Sequence, residues 1–251
     1  NNAMKKEHME YFYHEARYIS WEEFQECMIK PTDSLDECKS KICTVICCFD
    51  SHLDKAWNYF KAIYNDIPVE YRMPVMLEEI YQCCRVDYPE MLQYIDRYLH
   101  YEETQELKEK RIAMVKSMLK NRVRKDGLVK VYRGEAEHFL MSNYAVSFSL
   151  DKKVAEFFVE YHKARHGSRF GAVNWWLMNI EDILYYSNER KEREVFVVPG
   201  AVQDGYVPET WDDMDYLDEI NFESEYWWAE DMKVLDALCD EEHQANEQYA
   251  S

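Results

Sequence analysis

Three short segments place polar or charged side chains at the ends of runs that have the composition of β-strands. Arg133 ends the first run, Ser147 and Ser149 lie in the second, and Glu192 and Glu194 begin the third. β-Branched and aromatic residues favour strands, so each polar side chain stands where a buried strand would not place one. Arginine binds phosphate oxygens through its planar fork, and a carboxylate stabilises positive charge that develops during bond cleavage. The set therefore predicts an anion-binding group beside a cation-stabilising group, which is chemistry suited to a nicotinamide dinucleotide.

Between 128 and 200 the sequence resembles the mono-ADP-ribosyltransferases whose sites contain Arg, Ser-x-Ser and Glu-x-Glu motifs. Tyr132-Arg133-Gly134 is similar to the first-strand arginine motif, and 147–158 is similar to the Ser-x-Ser strand with the helix that follows it. The segment 187–199 resembles the turn and strand that carry Glu-x-Glu. Because the chain has 49 acidic residues, Glu-x-Glu alone carries little weight. The resemblance depends on the order, spacing and strand context of all three motifs.

The resemblance implies a role in NAD binding or bond cleavage for each of these residues. Arg133 is expected to hold the pyrophosphate, and Gly134 to let the backbone approach and bond the nicotinamide amide. Ser147 is expected to fix the ribose and orient Glu194. Glu194 is expected to bond a ribose hydroxyl and stabilise the developing cation, while Ser149 supports the site and caps the next helix.

Two further residues complete the predicted site. The period of two along a strand puts Glu192 on the same face as Glu194. In the arginine-modifying branch of the family this position engages the incoming guanidinium. The resemblance therefore implies that Glu192 positions a target arginine and helps to remove its proton. Phe170, in the glycine-bearing loop 165–171, covers the nicotinamide in one interpretation and packs in the core in the other.

The resemblance implies an NAD-dependent mono-ADP-ribosyltransferase, a glycosyltransferase that uses NAD as co-substrate and modifies an arginine side chain of a protein acceptor. One alternative is an NAD glycohydrolase, which releases nicotinamide and free ADP-ribose. Another is a catalytically degenerate module that binds NAD or a partner, and the last is an ordinary mixed domain whose polar strand residues coincide by chance. The residue types of all three motifs are intact, which favours the active transferase.

The motif residues need a sheet to bring them together, and the sequence predicts an α+β fold. We expect an all-helical lobe over 4–101 and an ADP-ribosyltransferase-like core over 102–207, with a mixed β-sheet and flanking helices. An acidic extension that contains aromatic residues is expected over 208–251. Residues 1–3 are interpreted as an expression scar.

Local signals predict where the first helices begin and end. A serine followed three residues later by an acid predicts helix starts at Ser20, Ser34 and Ser51. One long helix is expected over 102–125, and Gly127 is expected to stop it before the first strand.

The following segment is predicted to combine strands with one helix. Strands are expected at 128–132 and 172–178, and 183–186 is expected to lead into the turn that carries the carboxylates. A helix is expected over 151–165, and its apolar side is predicted to consist of Val154, Phe157, Phe158 and Tyr161. The six glycines form neither Gly-x-Gly-x-x-Gly nor a P-loop, which argues against a Rossmann dehydrogenase and a P-loop kinase.

The eight cysteines form no standard metal motif, and no metal site is predicted. Cys47-Cys48 and Cys83-Cys84 are adjacent pairs, which suit a disulfide framework poorly, and no pair has zinc-ribbon spacing. Cys43 and Cys47 lie four residues apart on a predicted helix, so a metal half-site is one interpretation. Free thiols in a reducing cytosol are the favoured interpretation.

Charge is distributed unevenly along a chain whose net charge is −19. Between Lys108 and Lys130 there are nine basic and two acidic residues, whereas 201–251 holds 16 acidic residues and one lysine. The basic stretch is either a patch for phosphate or nucleic acid, or a solvated face that the acidic segment contacts. The overall negative charge favours the second interpretation, so nucleic acid is not expected as a partner.

The longest unbroken apolar stretch, about 42–49, falls short of the roughly 20 residues that a membrane helix needs. We therefore expect a soluble protein that does not insert into membranes. The expected location is the cytoplasm, either of its own cell or of a recipient cell if the chain is a delivered, toxin-like effector.

Overall fold

The computed structural model describes residues 6–50, 52–136, 144–167 and 169–202. The chain forms two compact units that divide between Met114 and Val115. The fold class is α+β, as predicted, because helices are combined with a five-stranded antiparallel sheet. The predicted acidic extension, 208–251, lies outside the described residues. In the described ranges, no helix is long and apolar enough to cross a membrane.

The first unit is helical, as the sequence predicts for this part of the chain. A 3₁₀ turn covers Val69–Tyr71, and two π-helical segments cover Val75–Tyr81 and Tyr98–Glu102. The α-helices are α1 Lys6–Glu15, α2 Trp21–Glu26, α3 Leu35–Cys47, α4 His52–Ile63, α5 Arg72–Pro74, α6 Tyr88–Arg97 and α7 Gln105–Leu119.

Two of the three predicted helix starts are confirmed by reciprocal hydrogen bonds. The Ser20 hydroxyl accepts from the Glu23 amide while the Glu23 carboxylate accepts from the Ser20 amide, and Ser34 and Glu37 repeat the arrangement. Each pair satisfies backbone donors that the first turn of a helix leaves without partners. The third predicted start, Ser51, lies outside the described residues.

The prediction of one helix over 102–125 is wrong at both ends. Glu102 ends a π-helical segment, where its carboxylate accepts from Arg72 Nη1 and Tyr64 Oη, each at 2.8 Å. Burial raises the pKa of Glu102, but these hydrogen bonds outweigh burial and hold it below its ordinary value. α7 then ends at Leu119, and Lys120 adopts a left-handed backbone with a φ of 47°. The helix therefore ends at Leu119, before the predicted stop at Gly127.

The second unit contains a sheet in which the three motif strands lie together. The described strands are β1 Leu128–Ala136, β2 Ser147–Ser149, β3 Gly171–Asn179, β4 Ile183–Ser187 and β5 Glu194–Val197. Their order is β3-β1-β2-β5-β4, so β1, β2 and β5 are neighbours at the centre. The predicted mixed sheet is wrong for these strands, because every pair is antiparallel. A short turn between β4 and β5 permits only the antiparallel arrangement.

β1 is joined very differently to its two neighbours. It pairs with β3 along its whole length, from Leu128 opposite Asn179 to Ala136 opposite Gly171. With β2 it shares one registered pair, Tyr132 opposite Ser149. β1 and β2 therefore meet at one point of the sheet, close to the predicted site residues.

The helix α8, Lys152–His166, packs against β1 at Gly134. A methyl group on Gly134 would overlap the Ala155 carbonyl oxygen and lie 2.8 Å from the Val159 amide nitrogen. This close approach decides which side of α8 is buried. Val154 is buried as predicted, together with Ala155 and Val159, whereas the other three predicted apolar residues, Phe157, Phe158 and Tyr161, are half-exposed.

We predict that Gly134→Ala destabilises the protein by about 3 kcal/mol, the upper end of the usual cost of overpacking, because the added methyl group meets rigid backbone. Gly167→Ala is the matched control, since Gly167 has a φ of 64° and no atom within 4 Å of an added methyl group. That change is expected to cost only about 1 kcal/mol of backbone strain. Denaturant unfolding of both variants measures the difference, and equal losses would contradict the packing role of Gly134.

Candidate active site

The centre of the candidate site is a hydrogen bond between β2 and β5. The Ser147 hydroxyl donates to Oε1 of Glu194. In the sheet Ser149 lies opposite Glu194 and Ser147 lies opposite Phe196, so the hydroxyl reaches diagonally to the carboxylate. Glu194 is only 7% exposed. A buried carboxylate is costly without hydrogen bonds, and Ser147 provides one directly.

Arg133 reaches the same serine through its backbone. Nη1 of Arg133 donates to the Ser147 carbonyl oxygen at 2.7 Å, and the guanidinium lies 5.8 Å from the centre of the Phe148 ring. Nε of Arg133 is 3.6 Å from Oε1 of Glu135, whose other oxygen accepts from Asn174 at 2.8 Å. Arg133 is thus held between β2 and its own strand, and it positions the Ser147 peptide.

The strand register places Arg133 and Glu194 on different faces of the sheet. Tyr132 lies opposite Ser149, so these two side chains share the face of Glu194, which is also paired with Ser149. Arg133, one residue further, points to the other face together with Phe148. The three motifs therefore converge on β2 from both sides.

The Ser149 hydroxyl joins two turns. It donates to the Glu192 carbonyl oxygen at 2.7 Å and accepts from the Asp151 amide at 3.0 Å. This geometry agrees with a supporting role for Ser149. The helix cap itself is Asp151, whose Oδ1 accepts from the Lys153 amide at 2.9 Å, so the prediction that Ser149 caps the helix is wrong. The aspartate is one residue before the helix, where a side-chain acceptor reaches the first amides.

Glu192 lies in the turn before β5 and not on the strand. β5 begins at Glu194, and Lys191 and Arg193 on either side of Glu192 have φ values of 58° and 48°. The expectation that Glu192 and Glu194 share a strand face is therefore wrong, because the left-handed residues break the alternation. Such conformations are strained for residues other than glycine and concentrate at functional sites.

Hydrogen bonds to neighbouring residues hold this turn in place. The Lys191 amide donates to the Asn188 carbonyl oxygen at 3.0 Å, and the Arg193 amide donates to the Asn188 side chain at 3.2 Å. The Leu150 amide donates to the Arg193 carbonyl oxygen at 3.0 Å. The backbone on both sides of Glu192 is thus fixed before any ligand arrives.

Glu192 is buried, and its pKa is raised. It is 8% exposed, and burial raises its pKa from 4.5 to about 7. The charge of Arg190, whose Nη2 is 3.3 Å from the carboxylate, lowers the pKa, while the charge of Glu194 raises it. Pairs of carboxyl groups with different environments are the usual arrangement for dividing acid–base roles.

The two remaining predicted residues have clear positions. Phe170 is 73% exposed immediately before β3, so the core-packing interpretation is wrong. It adjoins Gly171, which pairs with Ala136 at the end of β1 that lies beyond Arg133. Gly134 is required by the close approach of α8, which is a reason for glycine that the motif did not indicate.

Sequence reasoning missed Ser187, which is paired with Glu194, and Arg122, which lies near Leu150 and Arg193. Ser187 of β4 lies directly opposite Glu194. Glu194 is therefore paired with a serine on each neighbouring strand, Ser149 of β2 and Ser187 of β4. Arg122 donates to the Leu150 carbonyl oxygen at 3.4 Å, and its pKa is lowered by burial and by the charge of Arg193. The basic stretch 108–130 was the available signal for Arg122, but net charge does not show which of its members is buried.

Comparison with protein family models, curated proteins and solved structures found no match to this chain. Among the described residues, no three His, Cys, Asp or Glu side chains are arranged to hold a metal ion.

The raised pKa of Glu192 predicts a pH-dependent cost of keeping this residue buried. The folded state holds the Glu192 proton more tightly than the unfolded state, so this contribution to stability is present below about pH 4.5. It is lost as the pH rises to about 7, with a total change of about 3 kcal/mol. Glu192→Gln should therefore unfold at higher denaturant concentration than the original protein at pH 8, with a much smaller difference at pH 5.

Glu189→Gln is the matched control, because Glu189 is exposed in the same turn. It should change stability little at either pH. If the stability difference between Glu192→Gln and the original protein were the same at pH 5 and pH 8, Glu192 would not be a buried group with a raised pKa.

Proposed function

We propose that this protein is an NAD-dependent mono-ADP-ribosyltransferase that modifies arginine side chains. The observation that carries the proposal is the Ser147–Glu194 hydrogen bond at the centre of the sheet, with Arg133 on the Ser147 peptide and Glu192 in the adjoining turn. These are the residues that the resemblance assigns to donor binding, bond cleavage and acceptor selection. Their convergence supports the assignment because they come from three separate parts of the chain.

Glu194 is the residue on which cleavage of NAD depends in this proposal. Breaking the nicotinamide–ribose bond develops positive charge on the ribose, as in glycoside cleavage. A preorganised carboxylate stabilises that charge, and its burial strengthens the interaction because little water screens it. The Ser147 hydroxyl keeps the carboxylate in one orientation.

The resemblance assigns the pyrophosphate of NAD to Arg133, which would therefore bind it on the opposite face of the sheet from Glu194. Arg133 also supports the Ser147 peptide. Its charge and fork geometry suit phosphate oxygens, although the carboxylate of Glu135 lies 3.6 Å from its Nε. A bound diphosphate therefore competes with Glu135 for the guanidinium. Gly134 supplies backbone for the nicotinamide amide, and the exposed ring of Phe170 covers the nicotinamide.

Glu192 receives the acceptor arginine. A guanidinium is protonated at neutral pH and is a poor nucleophile until it is oriented and loses a proton. With a pKa raised to about 7, Glu192 is a stronger base than an exposed glutamate and is still partly ionised at neutral pH. An incoming guanidinium favours the ionised form, so acceptor binding increases the fraction of Glu192 that is able to accept a proton.

An NAD glycohydrolase is the second candidate, and one observation favours it. The Ser147–Glu194 pair is complete without any contribution from Glu192, so water could serve as acceptor at the same carboxylate. A module that binds NAD without cleaving it is the remaining alternative. The two glutamates separate all three functions, because they act on different substrates.

The decisive measurement is paired: nicotinamide release without acceptor, and transfer of label from NAD to an arginine-rich protein. Glu194→Gln should lower both rates by about 10²–10³-fold, because one well-placed electrostatic group is lost. Glu192→Gln should leave much of the nicotinamide release and suppress labelling of arginine. Glu189→Gln, exposed in the same turn, should change neither rate.

Each outcome assigns one function. Full activity of Glu194→Gln rejects NAD cleavage at this site, and normal transfer by Glu192→Gln rejects the arginine acceptor. Nicotinamide release by the original protein without any labelled acceptor supports the glycohydrolase. NAD binding without release of nicotinamide supports the binding module.

Arg133 is predicted to affect both NAD binding and turnover. Arg133→Ala should raise the KM for NAD by about 10-fold or more, since a hydrogen bond to a charged group contributes about 1.5–3 kcal/mol. It should also lower kcat, because the Ser147 peptide loses its 2.7 Å hydrogen bond. Arg133→Lys keeps the positive charge but not the planar guanidinium. Compared with Arg133→Ala, it should restore the KM for NAD more fully than it restores kcat. A variant with altered KM and unchanged kcat would contradict the positioning of Ser147 by Arg133.

A further inference from the structure

The Glu192 carboxylate already has a guanidinium beside it. Nη2 of Arg190 lies 3.3 Å from Oε1 of Glu192, and the Arg190 side chain is 48% exposed while that of Glu192 is 11% exposed. A guanidinium is also the group that the proposed function brings to Glu192 as acceptor. The chain thus carries, two residues away, the same chemical group that Glu192 is proposed to receive.

A β-turn fixes the backbone of Arg190 in this place. The Lys191 amide donates to the Asn188 carbonyl oxygen at 3.0 Å, which makes Arg190 the third residue of a four-residue turn. The Asn188 side chain accepts from the Arg193 amide at 3.2 Å and so joins the turn to the start of β5. The Arg190 side chain can therefore leave the carboxylate by rotation while the backbone around Glu192 stays in place.

The contact between Arg190 and Glu192 is weak enough to exchange. A much firmer pair occurs in the first unit, where Arg111 donates to Glu103 through two nitrogens, at 2.6 and 2.9 Å, and the side chains are 6% and 4% exposed. The Arg190 guanidinium, by contrast, is about half in water, where an ion pair contributes little because solvent screens it. A second guanidinium can therefore replace Arg190 at Glu192 with little loss of stability.

Exchange leaves the displaced Arg190 close to the incoming guanidinium. The two positive charges repel each other, and one carboxylate cannot pair well with both groups. The carboxylate of Glu194 accepts from the Ser147 hydroxyl and is assigned to the ribose of NAD, so it is not available to the displaced side chain. A carboxylate that the acceptor carries next to its own arginine relieves the repulsion, because it pairs with Arg190.

We propose that Arg190 occupies the acceptor position at Glu192 until an acceptor displaces it, and that the preferred acceptors are arginines with an aspartate or glutamate beside them. The displaced Arg190 binds this second carboxylate, so the turn recognises a pair of oppositely charged side chains and not a single arginine. The inference rests on the proposed role of Glu192 and names the class of arginine that Glu192 receives. Arg190 determines specificity in this proposal, because it touches the acceptor and not the bond that breaks.

Two tripeptides with blocked ends, Asp-Arg-Asp and Gly-Arg-Gly, measure this preference. The full chain is titrated with each peptide without NAD, and binding is followed by the NMR shifts of the peptide arginine. Physiological ionic strength limits the effect of charges more than about 8 Å away. The affinity for the acidic peptide divided by that for the neutral peptide gives the selectivity of each variant.

Arg190→Gln should lower the selectivity by about 2–5-fold, the usual contribution of one exposed ion pair. Its affinity for Gly-Arg-Gly should rise, because no internal guanidinium has to be displaced. Arg190→Lys keeps the charge and should keep most of the selectivity. Lys191→Gln is the matched control, since it removes the same charge from the next, exposed residue of the turn, and its selectivity should equal that of the original protein.

Equal selectivity in Arg190→Gln and the original protein, an equal loss in Lys191→Gln, or no binding of either peptide by the original protein would overturn the proposal. Label transfer from NAD to the same peptides is measured in parallel, and kcat/KM should show the same change of selectivity. Selective binding that depends on Arg190 without any nicotinamide release rejects NAD cleavage and retains the role of Arg190. Nicotinamide release with a selectivity that does not depend on Arg190 rejects only the role of Arg190.

Discussion

A carboxylate inside a β-sheet is the constraint on which the candidate site depends. Glu194 is nearly inaccessible to water, so its charge must be met by hydrogen bonds from the strands around it. Ser147 reaches it only in the register that places Ser149 opposite Glu194. A shift of one residue would send Glu194 to the other face of the sheet. The geometry of the site therefore depends directly on the strand register. Arg133 stabilises this arrangement through its hydrogen bond to the Ser147 carbonyl oxygen.

The turn that carries Glu192 has a strained backbone, which contacts from β2 hold in place. Left-handed backbone at Lys191 and Arg193 is unfavourable by itself and persists only where surrounding contacts determine it. Those contacts come from Ser149, which binds the Glu192 carbonyl, and from Leu150, which binds the Arg193 carbonyl. Both belong to β2 or directly follow it. The strand that orients Glu194 through a side chain thus fixes Glu192 through its backbone, which gives the two carboxylates different environments.

The candidate site uses regular backbone to orient its side chains. In the sheet, strand register places the Ser147 hydroxyl beside the Glu194 carboxylate, and this arrangement requires no ligand to form. Preorganisation of this kind lowers the entropy cost that a ligand must overcome, because the side chains are already oriented by their secondary structure.

The sequence by itself determined the α+β class, the starts of α2 and α3, and the strands around 128–132 and 172–178. These features depend on local chemistry, such as the reciprocal bonds of Ser20 with Glu23 and the β-branched composition around Arg133. Only the tertiary structure decided the strand order, the opposite faces of Arg133 and Glu194, the early end of α7 and the position of Glu192 in a strained turn. It also revealed why Gly134 is a glycine, and it placed Ser187 opposite Glu194. The physical reason is that these properties arise from contacts between residues far apart in the chain, which local propensity does not specify.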